Sequence, residues 1–133
     1  MEFKLELGLA GEMTAEVRPE HTAESLGSGG VAVLATPMLV ALMEGAAKDT
    51  VQPGLPAGWT TVGTRVDISH LAATPVGMKV TARAVLKEIE GRRLVFTVEA
   101  YDDQEKVGQG SHERFIINTE RFESKARAKA GLQ

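Results

Sequence analysis

The stretch TPMLVALMEGAA, residues 36–47, decides how this chain folds. Thr36 followed by Pro37 predicts the start of a helix with Thr36 as its N-cap, because proline lacks only a backbone donor that the first turn leaves unpaired. The apolar side chains that follow cover every side of the helix, which predicts that it is buried or nearly so. We expect it to end near Val51, because the next seven residues contain two prolines and two glycines.

One carboxylate, Glu44, lies within this apolar stretch. Burial of a carboxylate without a partner is costly, so the group must find hydrogen bonds or take up a proton. Two interpretations are open. Either the helix turns Glu44 toward an exposed rim or a structural ion pair, or Glu44 belongs to a functional site whose other members come from elsewhere in the chain.

From Trp59 onward the apolar residues recur with a period of two, which predicts a strand that ends at His70. One face of this strand is predicted to carry Val62, Thr64, Val66, Ile68 and His70. Because that face should cover the helix, His70 is directed toward the side of the sheet that Glu44 also occupies.

Further strands follow, joined by turns. Residues 79–87 and 94–100 alternate around the turn Glu90-Gly91-Arg92 and predict a hairpin, and Lys106–Ile117 is the last strand. The chain before the helix is predicted to be extended from Phe3 to Val17, with a mobile connection over Glu20–Gly30. The tail, about residues 120–133, is predicted to form a charged, solvated helix.

These elements predict an α+β fold in which a curved antiparallel β-sheet wraps around one long central helix. A chain of 133 residues suits a single domain spanning residues 1–133. A lone sheet of this size exposes its edges and one face, so we expect a homodimer or a tetramer of two dimers.

Composition excludes several functions. A formal charge of −3 without a dense basic run argues against nucleic-acid binding, and no apolar segment is long enough to span a membrane. The start of the chain lacks a leader pattern, which predicts a cytoplasmic protein. Without cysteine there is no disulfide, thiolate nucleophile or thiolate metal site, so any chemistry rests on hydroxyls, histidines or carboxylates.

Thr36, Glu44 and His70 are the candidate catalytic residues. A carboxylate near an imidazole can orient it, activate water or attack an acyl carbon, while the histidine protonates a leaving group. The alternative is that His70 is a core histidine bonded to a backbone carbonyl. His21 is expected to be exposed in the connection, His112 is expected to have a structural or interface role, and the three histidines make no convincing metal site.

Four stretches carry a family resemblance: Thr36–Ala47 with Met43-Glu44, Ser69–Pro75, Glu90–Leu94 and Gly110–Arg114. With these stretches the chain resembles the hotdog-fold thioesterases of the fluoroacetyl-CoA thioesterase family. The resemblance implies hydrolysis of an acyl-CoA by a homodimer without metal or redox cofactor, coenzyme A being part of the substrate. It implies a catalytic set at Thr36, Glu44 and His70.

The resemblance also implies that the Gly63 amide polarises the thioester carbonyl and that Arg114 lies near the site or the coenzyme A. One departure concerns the pocket. The segment His21–Leu34 is shorter than the aromatic-bearing loop of the fluoroacetyl-specific member and has no aromatic side chain apart from His21. We therefore expect a more open pocket and a broader or different acyl preference.

Two other functions remain open at this point. A hotdog hydratase or dehydratase acting on an enoyl or hydroxyacyl thioester also uses an acid and a histidine, but its pair usually lies close together on one helix or its leading loop. A non-catalytic acyl-CoA binding module is the second alternative.

Overall fold

The computed structural model describes residues 3–131. Its sheet has five antiparallel strands: β1 (Ala10–Glu16), β2 (Trp59–His70), β3 (Lys79–Glu90), β4 (Arg93–Tyr101) and β5 (Lys106–Asn118). Their order across the sheet is β1-β3-β4-β5-β2, so β1 and β2 are the two edges. The predicted hairpin is confirmed as the β3–β4 pair.

The helices are α1 (Ala23–Leu26), α2 (Thr36–Val51) and α3 (Thr119–Lys129). The long helix α2 lies on the concave face of the sheet and ends at Val51, as predicted. Its buried residues belong to the core shared with the inner faces of β3 and β4; they are Leu39, Met43, Ala46, Ala47 and Val51. Among residues 3–131, no helix has the length and apolar character needed to cross a membrane.

Two expectations about α2 were wrong. The helix is not buried all round, since Ala41 and Lys48 on its far side are exposed. A single sheet covers only one side of a helix, and within residues 3–131 no second layer covers the other. Thr36 is the first helical residue rather than the N-cap, which is Ala35, and no side chain caps this end.

The face assignment of β2 was correct only in its second half. The register against β5 shifts between Gly63 and Arg65, so Thr64 is an extra residue in the strand. Before this bulge the buried residues are Trp59 and Thr61; after it, Ile68 packs against the core. An extra residue of this kind reverses which side chains of the strand face the core, and a regular period of two in the sequence does not show where it occurs.

The segments before α2 also differ from expectation. The first strand begins at Ala10 rather than at Phe3. The connection Glu20–Gly30 contains the helical turn α1, where the Thr22 hydroxyl accepts a hydrogen bond from the Ser25 amide at 3.2 Å. At the other end of the chain, α3 is charged and exposed, as predicted.

Candidate active site

Thr36 and His70 form the first part of the site. The Thr36 Oγ1 lies 2.7 Å from His70 Nδ1, which joins the first turn of α2 to the end of β2. The other ring nitrogen, Nε2, is shielded from solvent and has no hydrogen-bond partner among residues 3–131. Burial lowers the pKa of His70, with a smaller opposite effect from the backbone of Ala72. The imidazole is therefore neutral near pH 7, with one nitrogen left unpaired.

A cleft of about 390 Å³ surrounds this pair. Its walls come from the connection before α2 and from the loop after β2, and they include Val31, Val33, Leu71 and Ala72. The lining carries no Phe, Tyr or Trp. The cleft therefore lacks an aromatic lid, in agreement with the composition of the connecting segment.

Glu44 forms the second part of the site together with Arg114. Arg114 Nη1 lies 3.8 Å from Glu44 Oε2, and the side chain of Glu44 is 39% exposed whereas that of Arg114 is 7% exposed. The guanidinium is fixed by Thr61, since Nε donates to Thr61 Oγ1 at 2.8 Å and Nη2 donates to its carbonyl at 2.9 Å. Burial lowers the pKa of Arg114, and the charge of Glu44 opposes that shift.

Gly63 provides the space in which the Glu44 carboxylate lies. It pairs with Arg114 across β2 and β5. A Cβ atom built on Gly63 would lie 2.5 Å from Glu44 Oε2, well inside ordinary contact distance. Any side chain at position 63 would therefore displace the carboxylate.

The predicted catalytic residues thus fall into two groups on the β2 side of α2. Thr36 and His70 are in contact, whereas no ion pair joins Glu44 to His70 within the part of the chain that the structure describes. Thr36 and Glu44 are eight residues apart, which corresponds to about 12 Å along the helix. Gly63, which lies against Glu44, and His70 are seven residues apart on β2, roughly 20 Å, so Glu44 and His70 of one chain are too far apart to act on the same thioester bond.

Two residues near Glu44 were not predicted as site members. Thr61 holds the guanidinium of Arg114, and His112 contacts the same guanidinium at 3.1 Å. The sequence does indicate that these positions are buried, because His112 and Arg114 lie on the same alternating face of β5 as the apolar residue Ile116. Polar side chains at core positions of a strand indicate a buried network.

Neither a metal site nor an exposed His21 is found. Among residues 3–131, no three histidine or carboxylate side chains cluster as metal ligands would. His21 is half-buried, and its Nδ1 accepts a hydrogen bond from the Arg18 amide at 3.1 Å.

Solved structures with a similar fold include thioesterases. A structure of a fluoroacetyl-CoA thioesterase superposes with a TM-score of 0.88 and 36% identity, covering 94% of this chain and 97% of that chain. A thioesterase superfamily member from Thermus thermophilus superposes with a TM-score of 0.87 and 30% identity, covering 95% of this chain and 93% of that one. The protein is a hotdog-fold thioester hydrolase, and the predicted fold class is confirmed.

The particular family follows from sequence comparison. The family model described as fluoroacetyl-CoA-specific thioesterase matches residues 17–120. The fluoroacetyl-CoA thioesterase of Streptantibioticus cattleyicolor is 43% identical over 97 residues, which cover 73% of this chain and 70% of that protein. This chain belongs to the fluoroacetyl-CoA-specific thioesterase family, and the resemblance noted in the sequence is confirmed.

Proposed function

We propose that the protein hydrolyses small or medium acyl-CoA thioesters to the free acid and coenzyme A. The observation that carries this proposal is the Thr36–His70 hydrogen bond, which leaves one imidazole nitrogen unpaired beside an open cleft. The reaction uses no metal or redox cofactor, and coenzyme A is part of the substrate.

In the proposed reaction, Glu44 acts on the acyl carbon as a nucleophile or activates the water that attacks it. As a nucleophile, Glu44 forms an acyl anhydride that water then cleaves; as a base, it takes a proton from the attacking water. In both routes a carbon–oxygen bond replaces the carbon–sulfur bond, and His70 from the second copy of the proposed homodimer, which begins and ends neutral, relays a proton of that water to the departing thiolate. Thr36 holds His70 and can polarise the reacting group through its hydroxyl. Hydrolysis consumes one water and releases one carboxylic acid and one thiol.

The start of α2 can stabilise negative charge that develops on the thioester oxygen. Its donors are few, since Pro37 has no N–H and the amides of Met38 and Leu39 both donate to the Ala35 carbonyl at 3.0 Å. We assign this role to the amide of Thr36, together with the amide of Gly63 on β2 of the second copy, because the two amides of one chain are too far apart to reach the same oxygen. Arg114 is a positioning group for Glu44 in this scheme, because its buried guanidinium is unsuited to binding solvent-exposed phosphates.

The protein is proposed to act as a homodimer in the cytoplasm, with pairing of two dimers as a further step. β2 is an edge strand, and Val66 on it is 41% exposed. Glu44, at the same side of α2, is 39% exposed. A second copy that extends the sheet at β2 would cover both residues and exclude water from the carboxylate.

The acyl group is proposed to extend beyond the size of acetate. Leu34 lines the cleft and also lines an apolar cavity of about 200 Å³ between α2 and β1, beside Met13, Val17 and Leu42. A 150 Å³ apolar cavity accommodates benzene, so this volume suits a chain of about six to eight carbons. Movement of Leu34 would join the two spaces.

A thiol-release assay across a panel of acyl-CoAs tests the function. Wild-type protein should release coenzyme A, whereas Glu44→Gln and His70→Ala should each lower turnover by orders of magnitude without loss of fold. Glu24→Gln, a change at an exposed glutamate, is the matched control. Hydration of an enoyl-CoA without thiol release would indicate the hydratase alternative, binding alone would indicate the binding module, and full turnover by Glu44→Gln would refute the assignment.

A further inference from the structure

His112 is a buried histidine that the proposed reaction does not use. Its side chain is 1% exposed and stacks on the ring of Phe96, with 6.3 Å between the ring centroids. Nδ1 lies 2.8 Å from the backbone carbonyl of Arg65, and Nε2 lies 3.1 Å from Nη1 of Arg114. Both ring nitrogens therefore have partners, in contrast to those of His70.

These partners determine the tautomer. A carbonyl oxygen only accepts hydrogen bonds, so Nδ1 of His112 must carry the hydrogen. A guanidinium only donates, so Nε2 must present its lone pair to Arg114. An imidazolium would place an N–H against the N–H groups of Arg114 and lose this bond. The geometry is compatible only with neutral His112 protonated at Nδ1.

The charges around His112 favour the same state. Burial is the main cause that lowers its pKa, and the positive charge of Arg114 adds to it. The carbonyl of Arg65 and the carboxylates of Glu44 on α2 and Glu113 on β5 act in the opposite direction.

The bulge in β2 supplies the acceptor. The register shift between Gly63 and Arg65 interrupts the regular ladder next to His112, and the Arg65 carbonyl there accepts from a side chain. The same shift leaves Gly63, rather than a residue with a side chain, facing Glu44. One irregularity therefore sets both the tautomer of His112 and the space for the carboxylate.

We propose that His112 is a positioning residue that directs the guanidinium of Arg114 onto Glu44. Thr61 accepts from Nε and Nη2 of Arg114, and His112 accepts from Nη1, the nitrogen nearest Glu44. With three acceptors the planar guanidinium has one orientation. Since the role concerns Glu44, this inference rests on the proposed function.

Two substitutions of His112 separate positioning from packing. Gln places its carbonyl oxygen near the position of Nε2 and can still accept from Arg114, whereas Asn reaches only the position of Nδ1. His112→Asn should lower kcat/KM by about 10- to 100-fold, the usual consequence of losing a hydrogen bond to a charged group. His112→Gln should recover most of that loss. Equal losses in two folded variants would overturn the proposal.

A double-mutant cycle tests whether the effect passes through Arg114. Arg114→Lys keeps the charge but loses the planar fork. In that background, His112→Asn should cause little further loss of kcat/KM, because the group that it positions is already displaced. Losses that multiply would show that His112 acts independently and would overturn the proposal.

The tautomer can be measured without any activity. Long-range proton–nitrogen correlation spectra of the ¹⁵N-labelled protein distinguish a protonated ring nitrogen from one with a lone pair, and the chain has only three histidines to assign. We expect neutral His112 protonated at Nδ1 at pH 7; an Nε2–H tautomer or an imidazolium would overturn the proposal. Full turnover by Glu44→Gln would instead refute the proposed function, while leaving this spectroscopic result interpretable.

Discussion

Replacement of Gly63 by alanine tests whether the position of the Glu44 carboxylate controls the reaction. The added Cβ would lie 2.5 Å from Glu44 Oε2, while ordinary contacts begin at 3.4 Å, so the oxygen must move by about 0.9 Å. Misplacement of a reacting group by about 1 Å can lower a rate by about 100-fold. We therefore expect kcat/KM for acetyl-CoA to fall by about two orders of magnitude.

The same substitution should lower stability only moderately. Gly63 has no positive φ, so alanine can adopt its backbone conformation, and the nearest atom is the end of a flexible side chain that can turn away, but the added Cβ also lies 3.2 Å from His112 Cε1 and 3.3 Å from Arg114 Nη1, which must shift by a few tenths of an ångström. We expect the free energy of unfolding to fall by about 1–2 kcal/mol. The backbone amide at position 63 is retained, which separates its role from that of Glu44.

Thiol release and urea unfolding of the Gly63→Ala protein measure the two quantities. Gly30→Ala is the matched control, since no atom lies within 4 Å of its added Cβ and its φ is not positive. A folded Gly63→Ala protein with wild-type kcat/KM would refute the inference that this glycine makes room for a catalytic carboxylate.

Three further predictions concern the rest of the site. Thr36→Val should lower turnover at least 10-fold while Thr36→Ser retains most of it, because only the hydroxyl bonds to His70; equal thiol release by both variants would contradict this. Ala41 lines the apolar cavity, so Ala41→Phe should fill it and reduce hydrolysis of six- to eight-carbon acyl-CoAs but spare acetyl-CoA. An unchanged dependence of thiol release on acyl chain length would exclude this cavity as the acyl site. Burial lowers the pKa of His70 and of His112, so the unfolded chain binds more protons than the folded chain below pH 6.5. The free energy of unfolding should therefore fall as the pH is lowered from 7.5 to 5.5. Urea unfolding of the His70→Asn protein should show a smaller fall over the same range.

Much of the fold could be predicted because it depends on local periodicity. The apolar run that ends at Val51 specifies a helix wherever it packs, and alternation specifies the strands on either side of the turn at Gly91. Trp59 and His70 were correctly placed as the ends of one strand. These features require only that side chains repeat with the period of the backbone.

The site was predictable in part. Thr36 and His70 lie together because the start of α2 packs against the end of β2, whereas the strand pattern had directed His70 toward the side of Glu44. The contact between Glu44 and Arg114 and the role of His112 were not visible, since β5 reaches β2 only through the order of strands in the sheet. That order is set by long-range pairing, which local periodicity does not encode.

The sequence by itself determined the long helix, the strands from β2 to β5 and the three candidate catalytic residues, because each follows from residue type and local spacing. Only the tertiary structure decided which of those residues meet. The bulge at Thr64 reversed the alternation of β2, brought Gly63 beneath Glu44 and gave His112 a carbonyl to bond. The exposed side of α2 likewise became apparent only in the folded chain, because one sheet covers one side of a helix.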